Sequence, residues 1–167
     1  MTVRETLQFA QSCLVDQAPD ATRVDRIIEL LGLTECADTI VGNHQIRGIS
    51  GGQKKRLSLA EVLVGSPRVL CLDEISSGLD SSTTLEIVTA LKEWATQTGG
   101  TLIASLLQPT PETFALFDRV LCLMDGQMVY QGSRDGVLEY LAALGLECPA
   151  DSDYADFVTD FLCVIED

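Results

Sequence analysis

Three short stretches between residues 47 and 84 carry residue types that can bind phosphate and activate water. The first is Ile49-Ser50-Gly51-Gly52-Gln53, directly before Lys54–Val64, whose apolar spacing is partly helical. Ser50 is a natural N-cap there, and the two glycines let a ligand come close to the backbone. The free N–H groups of a first helical turn carry partial positive charge, so this turn can hold a phosphate. Taken alone, the pattern more often marks only a cap and a loop.

The second stretch ends in two adjacent carboxylates. Val69-Leu70-Cys71-Leu72 is a continuous apolar run, which predicts a strand buried on both faces of a parallel sheet, and Asp73 and Glu74 follow it. Ligands of open α/β sheets bind at such strand ends. One carboxylate there can hold a magnesium ion, directly or through water, while the next can orient and deprotonate an attacking water. A solvated strand terminus is the simpler interpretation of any single Asp-Glu pair.

The third stretch, Ser76-Ser77-Gly78-Leu79-Asp80-Ser81-Ser82, predicts a turn that leads into a helix, with Asp80 or Ser81 as its N-cap. On its own it indicates only a loop. The three stretches are informative together because they follow one another in this order and at this spacing.

The elements around these stretches alternate between helices and strands. A glycine in Gly65-Ser66-Pro67 is expected to end the first helix. The helix after Asp80 is expected to extend to about Thr96, with Trp94 in the core or at its rim, and Thr101–Leu106 predicts a second buried strand. This β-α-β order predicts a right-handed parallel unit. Cys71, inside the first strand, is therefore expected to be a small core residue.

Further elements flank this unit on both sides. On the N-terminal side, a helix is expected after a capping box at Thr2, with Val3, Leu7, Ala10 and Leu14 on its buried face, and a second one is capped by Asp20, with Val24, Ile27, Ile28 and Leu31 buried. On the C-terminal side, Asp125-Gly126 predicts a hairpin of Arg119–Met124 and Gln127–Tyr130, with Cys122 in the core. A helix from a Ser133 cap to Leu144 follows the hairpin. A last helix is predicted over 151–163.

Together the three stretches resemble the signature motif, Walker B strand and D-loop of an ABC-type ATPase. Arg47-Gly48-Ile49-Ser50-Gly51-Gly52-Gln53-Lys54-Lys55-Arg56 and the residues from Asp73 to Thr84 are similar to the G subfamily of ABC transporters. Ser105-Leu106-Leu107-Gln108-Pro109 and Pro111-Glu112-Thr113 resemble the first nucleotide-binding domain of its full-size, pleiotropic-drug-resistance type. The resemblance covers nearly the whole chain.

The resemblance assigns roles to the residues of the three motifs. Glu74 would be the catalytic carboxylate and Asp73 the ligand of Mg²⁺, and both would serve ATP held by this domain's own Walker A loop. The remaining residues would contact nucleotide: Ser50, Gly51, Gly52 and Gln53 of the signature, Ser77, Gly78, Leu79 and Asp80 of the D-loop, and Leu107 and Gln108 of the switch segment. The signature would act on ATP bound to a second nucleotide-binding domain in a head-to-tail dimer.

One position departs from the general pattern of ABC ATPases. They carry a switch histidine after the second strand, in contact with the γ-phosphate and the attacking water, and Leu107 occupies the matching position here. Gln108 follows it as in the G subfamily's histidine-Gln-Pro motif, which fixes the register. Leucine offers no hydrogen bond, so we expect the site that contains Leu107 to hydrolyse ATP slowly.

The 167 residues contain no G-x-x-x-x-G-K-[ST] loop. We therefore interpret 1–167 as the C-terminal part of one ABC nucleotide-binding domain, after the Q-loop: residues 1–64 as helical subdomain and signature helix, and 65–167 as Walker B, D-loop, switch region and C-terminal part. The expected fold is α/β, a partial P-loop NTPase with parallel core strands and an antiparallel hairpin but without the Walker A strand.

The implied function is ATP-driven export of drug-like or lipid-like compounds, coupled to transmembrane segments of the same transporter at the cytoplasmic face of a membrane. No apolar stretch of this chain is long enough to span a bilayer. A silent module that docks on a complete ABC domain is an alternative. A soluble ABC ATPase of translation or DNA repair is disfavoured because a net charge of -14 repels nucleic acid.

Overall fold

The computed structural model describes residues 1–15, 20–149 and 155–158. The chain divides into two compact units. Unit 1 comprises Met1–Leu72 and Ala90–Ile103, and unit 2 comprises Asp73–Thr89 and Ala104–Asp167. The division at residue 64, drawn from the motifs, stays a prediction.

The helices of unit 1 begin where local capping signals predict. Thr2 forms a capping box with Glu5 at the start of α1, and the Asp20 carboxylate accepts hydrogen bonds from two backbone N–H groups at the start of α2. Gly32, with φ +62°, follows α2 in the left-handed conformation expected of a helix end. The elements are α1 (Val3–Leu14), α2 (Ala21–Leu30), a 3₁₀ turn (Thr34–Cys36) and α3 (Gly51–Leu63).

The buried face of α1 differs from the predicted one at its C-terminal end. Val3 and Leu7 are fully buried, but Leu14 is 59% exposed and Gln11 is only 2% exposed. Gln11 lies one turn beyond Leu7 on the same face, so it occupies the core position that the apolar pattern assigned to leucine. The apolar face of α2 is buried as predicted, at Val24, Ile27, Ile28 and Leu31.

Strands β1 (Val69–Leu72) and β2 (Thr101–Ala104) form a two-stranded parallel sheet. The prediction that β1 is buried on both faces is wrong. Leu70 is 4% exposed, whereas Val69 on the opposite face is 55% exposed and Cys71 is exposed as well. Side chains alternate between the faces of a strand, and one face of this pair is uncovered among the described residues. Cys71 is therefore a surface thiol rather than a core residue.

The residue that ends α3 in the left-handed conformation is not the predicted glycine. The left-handed residue is Ser66, with φ +57°, and not Gly65. Gly65 packs against Leu14: a Cβ at position 65 would lie 2.9 Å from Leu14 Cδ1, so a larger residue there requires the Leu14 side chain to move. Helix α4 (Ser81–Thr98) extends two residues beyond Thr96. Trp94, predicted to lie in the core or at its rim, is 4% exposed and lies in the core.

Unit 2 contains the predicted hairpin, formed by β3 (Arg119–Met124) and β4 (Gln127–Ser133). Asp125 and Gly126 have φ values of +48° and +72°, which is the backbone of a type I′ turn. Cys122 packs against the helix α6 (Gly136–Ala143), which follows α5 (Pro111–Ala115) and the hairpin in the chain.

The start of α6 corrects a further prediction. Its N-cap is Asp135 rather than Ser133, because Ser133 is still the last residue of β4. The Ser133 hydroxyl nevertheless accepts a hydrogen bond from the N–H of Gly136, at 3.2 Å. Leu144, the last residue of the predicted helix, is 56% exposed. Residues 155–158 are helical, and the rest of the helix predicted over 151–163 lies outside the described residues.

We predict that Gly48→Ala strongly destabilises unit 1. An added Cβ would lie 2.2 Å from the carbonyl oxygen of Val41 and 2.5 Å from the nitrogen of Gly42, and backbone atoms cannot rotate away as a side chain could. Overpacking of this kind costs about 1–3 kcal/mol. Urea denaturation followed by circular dichroism should show a lower midpoint. Gly51→Ala is the matched control, since its Cβ would meet nothing within 4 Å; equal midpoints for the two variants would contradict the prediction.

Candidate nucleotide-binding site

The signature turn in unit 1 is closed by a reciprocal capping box. Ser50 has extended backbone angles, and its hydroxyl accepts a hydrogen bond from the N–H of Gln53 at 3.2 Å. The Gln53 side-chain oxygen accepts one in return from the N–H of Ser50, at 2.9 Å. Two of the N–H groups that a helix start leaves without partners are therefore satisfied by the turn itself.

The two groups that remain belong to the glycines. Among the described residues, neither the N–H of Gly51 nor that of Gly52 has a hydrogen-bond acceptor. Gly51 is exposed, and a Cβ built on it would meet no atom within 4 Å, so the backbone is open to an approaching group. Two adjacent N–H dipoles at the positive end of α3 favour an anion, and phosphate oxygens suit them best.

The acidic loop after β1 in unit 2 is organised by a hydroxyl from a distant part of the chain. The Ser105 Oγ donates a hydrogen bond to Asp73 Oδ1 at 2.6 Å and accepts one from the N–H of Glu74 at 2.7 Å. Ser105 follows β2 directly, and β1 and β2 are neighbouring parallel strands, so their carboxyl ends emerge at the same edge. The structure thus brings the two predicted carboxylates together with a third polar residue.

The chemistry of this loop fits a magnesium ion. The Asp73 side chain is exposed, and its Oδ2 accepts no hydrogen bond among the described residues. Mg²⁺ is usually held by one or two carboxylates together with water and phosphate oxygens. The described residues contain no group of three or more His, Cys, Asp or Glu side chains that could enclose a metal. A single oriented carboxylate that shares the ion with a nucleotide matches this donor set.

Two residues of the predicted site have a backbone conformation that is unfavourable for their type. Glu74 has φ +47° and Gln108 has φ +45°, the left-handed region that non-glycine residues rarely occupy. Such strain costs about 1–3 kcal/mol and persists only where the surroundings hold it. At Glu74 the surroundings include the Ser105 hydroxyl and the N–H of Ser77, which donates to the Glu74 carbonyl at 3.0 Å.

The D-loop is folded onto the start of α4. Asp80 caps this helix, since its carboxylate accepts from the N–H of Thr83 at 2.7 Å and from the Thr83 hydroxyl at 3.0 Å. The backbone and side-chain hydrogen bonds from Thr83 lower the pKa of Asp80 below its usual value, because they stabilise the ionised carboxylate. Gly78 has φ +73°, and Ser77 and Gly78 are exposed.

The switch segment presents Leu107 to solvent, with 62% of its surface exposed. Gln108, the next residue, is exposed too, and both belong to unit 2 with Asp73 and Glu74. The signature residues Ser50 to Gln53 belong to unit 1. The only histidine of the chain, His44, is exposed on a loop of unit 1.

Ser105 is a polar residue of this site to which the sequence motifs assign no role. It lies 31 residues from Glu74 and 32 from Asp73 in the chain, so no local pattern connects them. The available signal was its position: a small hydroxyl residue directly after the strand that neighbours β1. The same reasoning that placed Asp73 and Glu74 at a ligand-binding edge applies to any polar residue that follows β2.

Comparison with known proteins identifies related sequences. The profile of the ABC transporter family matches residues 1–77. ABC transporter G family member 37 of Oryza sativa subsp. japonica is 54% identical over 136 residues, which cover 81% of this chain and 9% of the relative. Pleiotropic drug resistance protein TUR2 of Spirodela polyrhiza is 51% identical over an alignment of 194 residues with gaps, which covers 96% of this chain and 14% of the relative. The chain thus spans only about a tenth of these curated relatives.

Solved structures show the same fold. An ATP-binding cassette of an ABC transporter in its ADP conformation superposes with a TM-score of 0.63 at 21% identity, over 80% of this chain and 55% of that one. A second structure of an ATP-binding cassette gives a TM-score of 0.65 at 20% identity, over 87% and 62% of the two chains. The expected ABC ATPase fold, with parallel strands and an antiparallel hairpin, is therefore confirmed. No helix among the described residues has the length and apolar character needed to cross a bilayer.

Proposed function

This chain belongs to the G family of ABC transporters, and on that premise we propose that it is an ATP-binding and ATP-hydrolysing part of an exporter. In this proposal the chain works within a complete nucleotide-binding domain that contains a Walker A loop. That domain pairs head to tail with a second nucleotide-binding domain, and both drive the transmembrane domain of the same transporter.

The observation that carries the proposal is the signature turn. Its capping box uses the N–H groups of Ser50 and Gln53 and leaves those of Gly51 and Gly52 for an outside anion. The γ-phosphate of ATP on the second nucleotide-binding domain is the anion that the proposal places there. The side chains of Ser50 and Gln53 then have a positioning role, because they hold the turn in the conformation that presents the glycine N–H groups.

The acidic loop would serve the nucleotide of this chain's own domain. Asp73 would hold Mg²⁺, which neutralises charge on the phosphate oxygens during transfer. Glu74 accepts the proton of the attacking water, and its left-handed backbone, held by hydrogen bonds from both sides, fixes where its side chain starts. The D-loop residues Ser77 to Asp80 and the switch residues Leu107 and Gln108 complete the contacts to nucleotide.

The proposed class of cargo rests on the names of the relatives alone. One of them is named a pleiotropic drug resistance protein, which supports drug-like compounds, and we extend this to lipid-like ones because amphipathic drugs and lipids share a polar head and an apolar body. The proposed location is the cytoplasmic face of the membrane that holds the transmembrane domain. The strongly negative charge of -14 disfavours nucleic acid as a partner.

Transport in reconstituted vesicles tests the proposal. The complete transporter that contains this chain would be purified and placed in liposomes, with a fluorescent amphipathic drug and a fluorescent phospholipid as probes. Accumulation that requires both ATP and Mg²⁺ supports the exporter. If neither probe moves and ATP is not turned over, the exporter proposal is wrong. Co-purification of the chain alone with a complete nucleotide-binding domain, without turnover, would instead support the docking module.

A further inference from the structure

We propose that Ser105 is the positioning residue of the magnesium and water chemistry at this acidic loop, acting through both Asp73 and Glu74. The inference rests on the exporter function proposed above, and it adds a residue that the sequence motifs leave without a role. Its basis is a single hydroxyl with two short hydrogen bonds, one of 2.6 Å to the Asp73 carboxylate and one of 2.7 Å from the Glu74 N–H.

The bond to Asp73 selects which carboxylate oxygen faces the ion. Because Ser105 donates to Oδ1, the carboxylate cannot rotate freely, and Oδ2 is the oxygen left for a metal. A metal-binding carboxylate without such a partner has to give up rotational freedom when it binds, and this weakens the site. Ser105 therefore raises the affinity for Mg²⁺ without contacting it.

The bond from Glu74 holds a strained backbone. Glu74 has φ +47°, and its N–H points to the Ser105 oxygen. Without an acceptor, the N–H would favour a rotation of the peptide toward solvent, which also turns the Glu74 side chain away from its present direction. One hydroxyl thus fixes the metal ligand and the water-activating carboxylate relative to each other.

Few side chains can replace serine in this role. The position needs one atom that donates and accepts at the same time, at the short reach of a Cβ substituent, and only serine and threonine hydroxyls do both strongly. Ser105→Ala loses both bonds. Ser105→Thr keeps both, and its branched side chain is well tolerated next to a strand. Thr96→Ala is the matched control, because the Thr96 hydroxyl is exposed and bonds only to the Lys92 carbonyl of its own helix.

Metal affinity in the complete transporter tests the inference without measuring turnover. Mn²⁺ in place of Mg²⁺ would be titrated in the presence of ATP and followed by electron paramagnetic resonance. We expect two sites in the parent protein. Ser105→Ala should weaken Mn²⁺ binding at one of them by about 10- to 100-fold, the usual effect of removing a partner of a metal ligand. The unchanged second site shows that the protein is folded.

The remaining outcomes separate the two proposals. Ser105→Thr should restore tight binding, and Thr96→Ala should bind like the parent. Two parent sites that Ser105→Ala leaves unchanged would overturn the role of Ser105 while the exporter function stands. Equal weakening in Ser105→Ala and Ser105→Thr would also overturn it, because the hydroxyl would then be irrelevant. A parent protein that binds no Mn²⁺ with ATP contradicts the exporter function itself.

Discussion

Replacement of Gly52 by aspartate is expected to lower ATP turnover of the complete transporter by at least roughly 100-fold. The N–H of Gly52 is one of two that the capping box leaves for phosphate. A carboxylate on the same residue lies beside those N–H groups and repels the triphosphate of the second domain. Both N–H groups remain in this variant, but the carboxylate charge offsets their attraction for the γ-phosphate. Loss of a single preorganised donor to a reacting oxygen costs about 10²–10³ in rate, which sets the scale of the expected effect.

Gly52→Asn separates charge from size in this experiment. Asparagine has almost the volume of aspartate but no charge, so it should retain more turnover than Gly52→Asp. Turnover would be measured as phosphate release at saturating ATP, with equal amounts of folded transporter confirmed by gel filtration. Equal losses in both variants would mean that bulk at the signature is decisive. Parent-like turnover in Gly52→Asp would show that this turn does not face a nucleotide.

The local features of the fold were predictable because each depends on a few neighbouring residues. Asp20, Ser50 and Asp80 cap helices as expected, since a short polar side chain before an apolar period can satisfy the first N–H groups wherever the helix packs. The Asp125-Gly126 turn was equally secure, because few dipeptides adopt two consecutive left-handed conformations easily.

Burial was less predictable, because it depends on what covers an element. An apolar run such as β1 has the same sequence whether one face is covered or both, and Cys71 and Val69 are exposed here. Gln11 shows the reverse case. Its side chain is buried on α1, and its Oε1 has no hydrogen-bond partner among the described residues. Glutamine is usually exposed, so its residue type did not predict this burial.

The candidate site also has a part that neighbouring residues predicted and a part that depends on a distant residue. Family motifs identified Asp73 and Glu74, whose neighbours in sequence carry the signal, and these assignments remain predictions until nucleotide or metal binding is measured. Ser105 contacts both residues from more than 30 positions away, so only the pairing of β1 with β2 reveals it. The distance in sequence, and not any unusual chemistry, is why motif reasoning missed it.

Leu107→His is expected to accelerate hydrolysis at the site that contains Glu74. A histidine can donate a hydrogen bond to the γ-phosphate and contact the attacking water, whereas leucine does neither. Positioned acid-base groups contribute about 10²–10⁴-fold, so we expect a gain on the order of 100-fold at this site. Leu107 is 62% exposed, so the substitution creates no cavity or clash in a core, and surface changes of this kind alter stability little.

The gain is best measured in the Gly52→Asp variant, where the site on the second domain is silenced and its turnover does not hide a change here. In that background Leu107→His should raise phosphate release, and Leu107→Gln is a control that adds a polar group without an imidazole.

The gain in phosphate release must also depend on Glu74. In the Gly52→Asp background, adding Glu74→Gln should change phosphate release little, because the site with Leu107 is already slow. Adding Glu74→Gln together with Leu107→His should return phosphate release to the level of Gly52→Asp. A gain that survives Glu74→Gln would mean that this carboxylate does not activate the water, and no gain at all would mean that the missing histidine is not what limits the site.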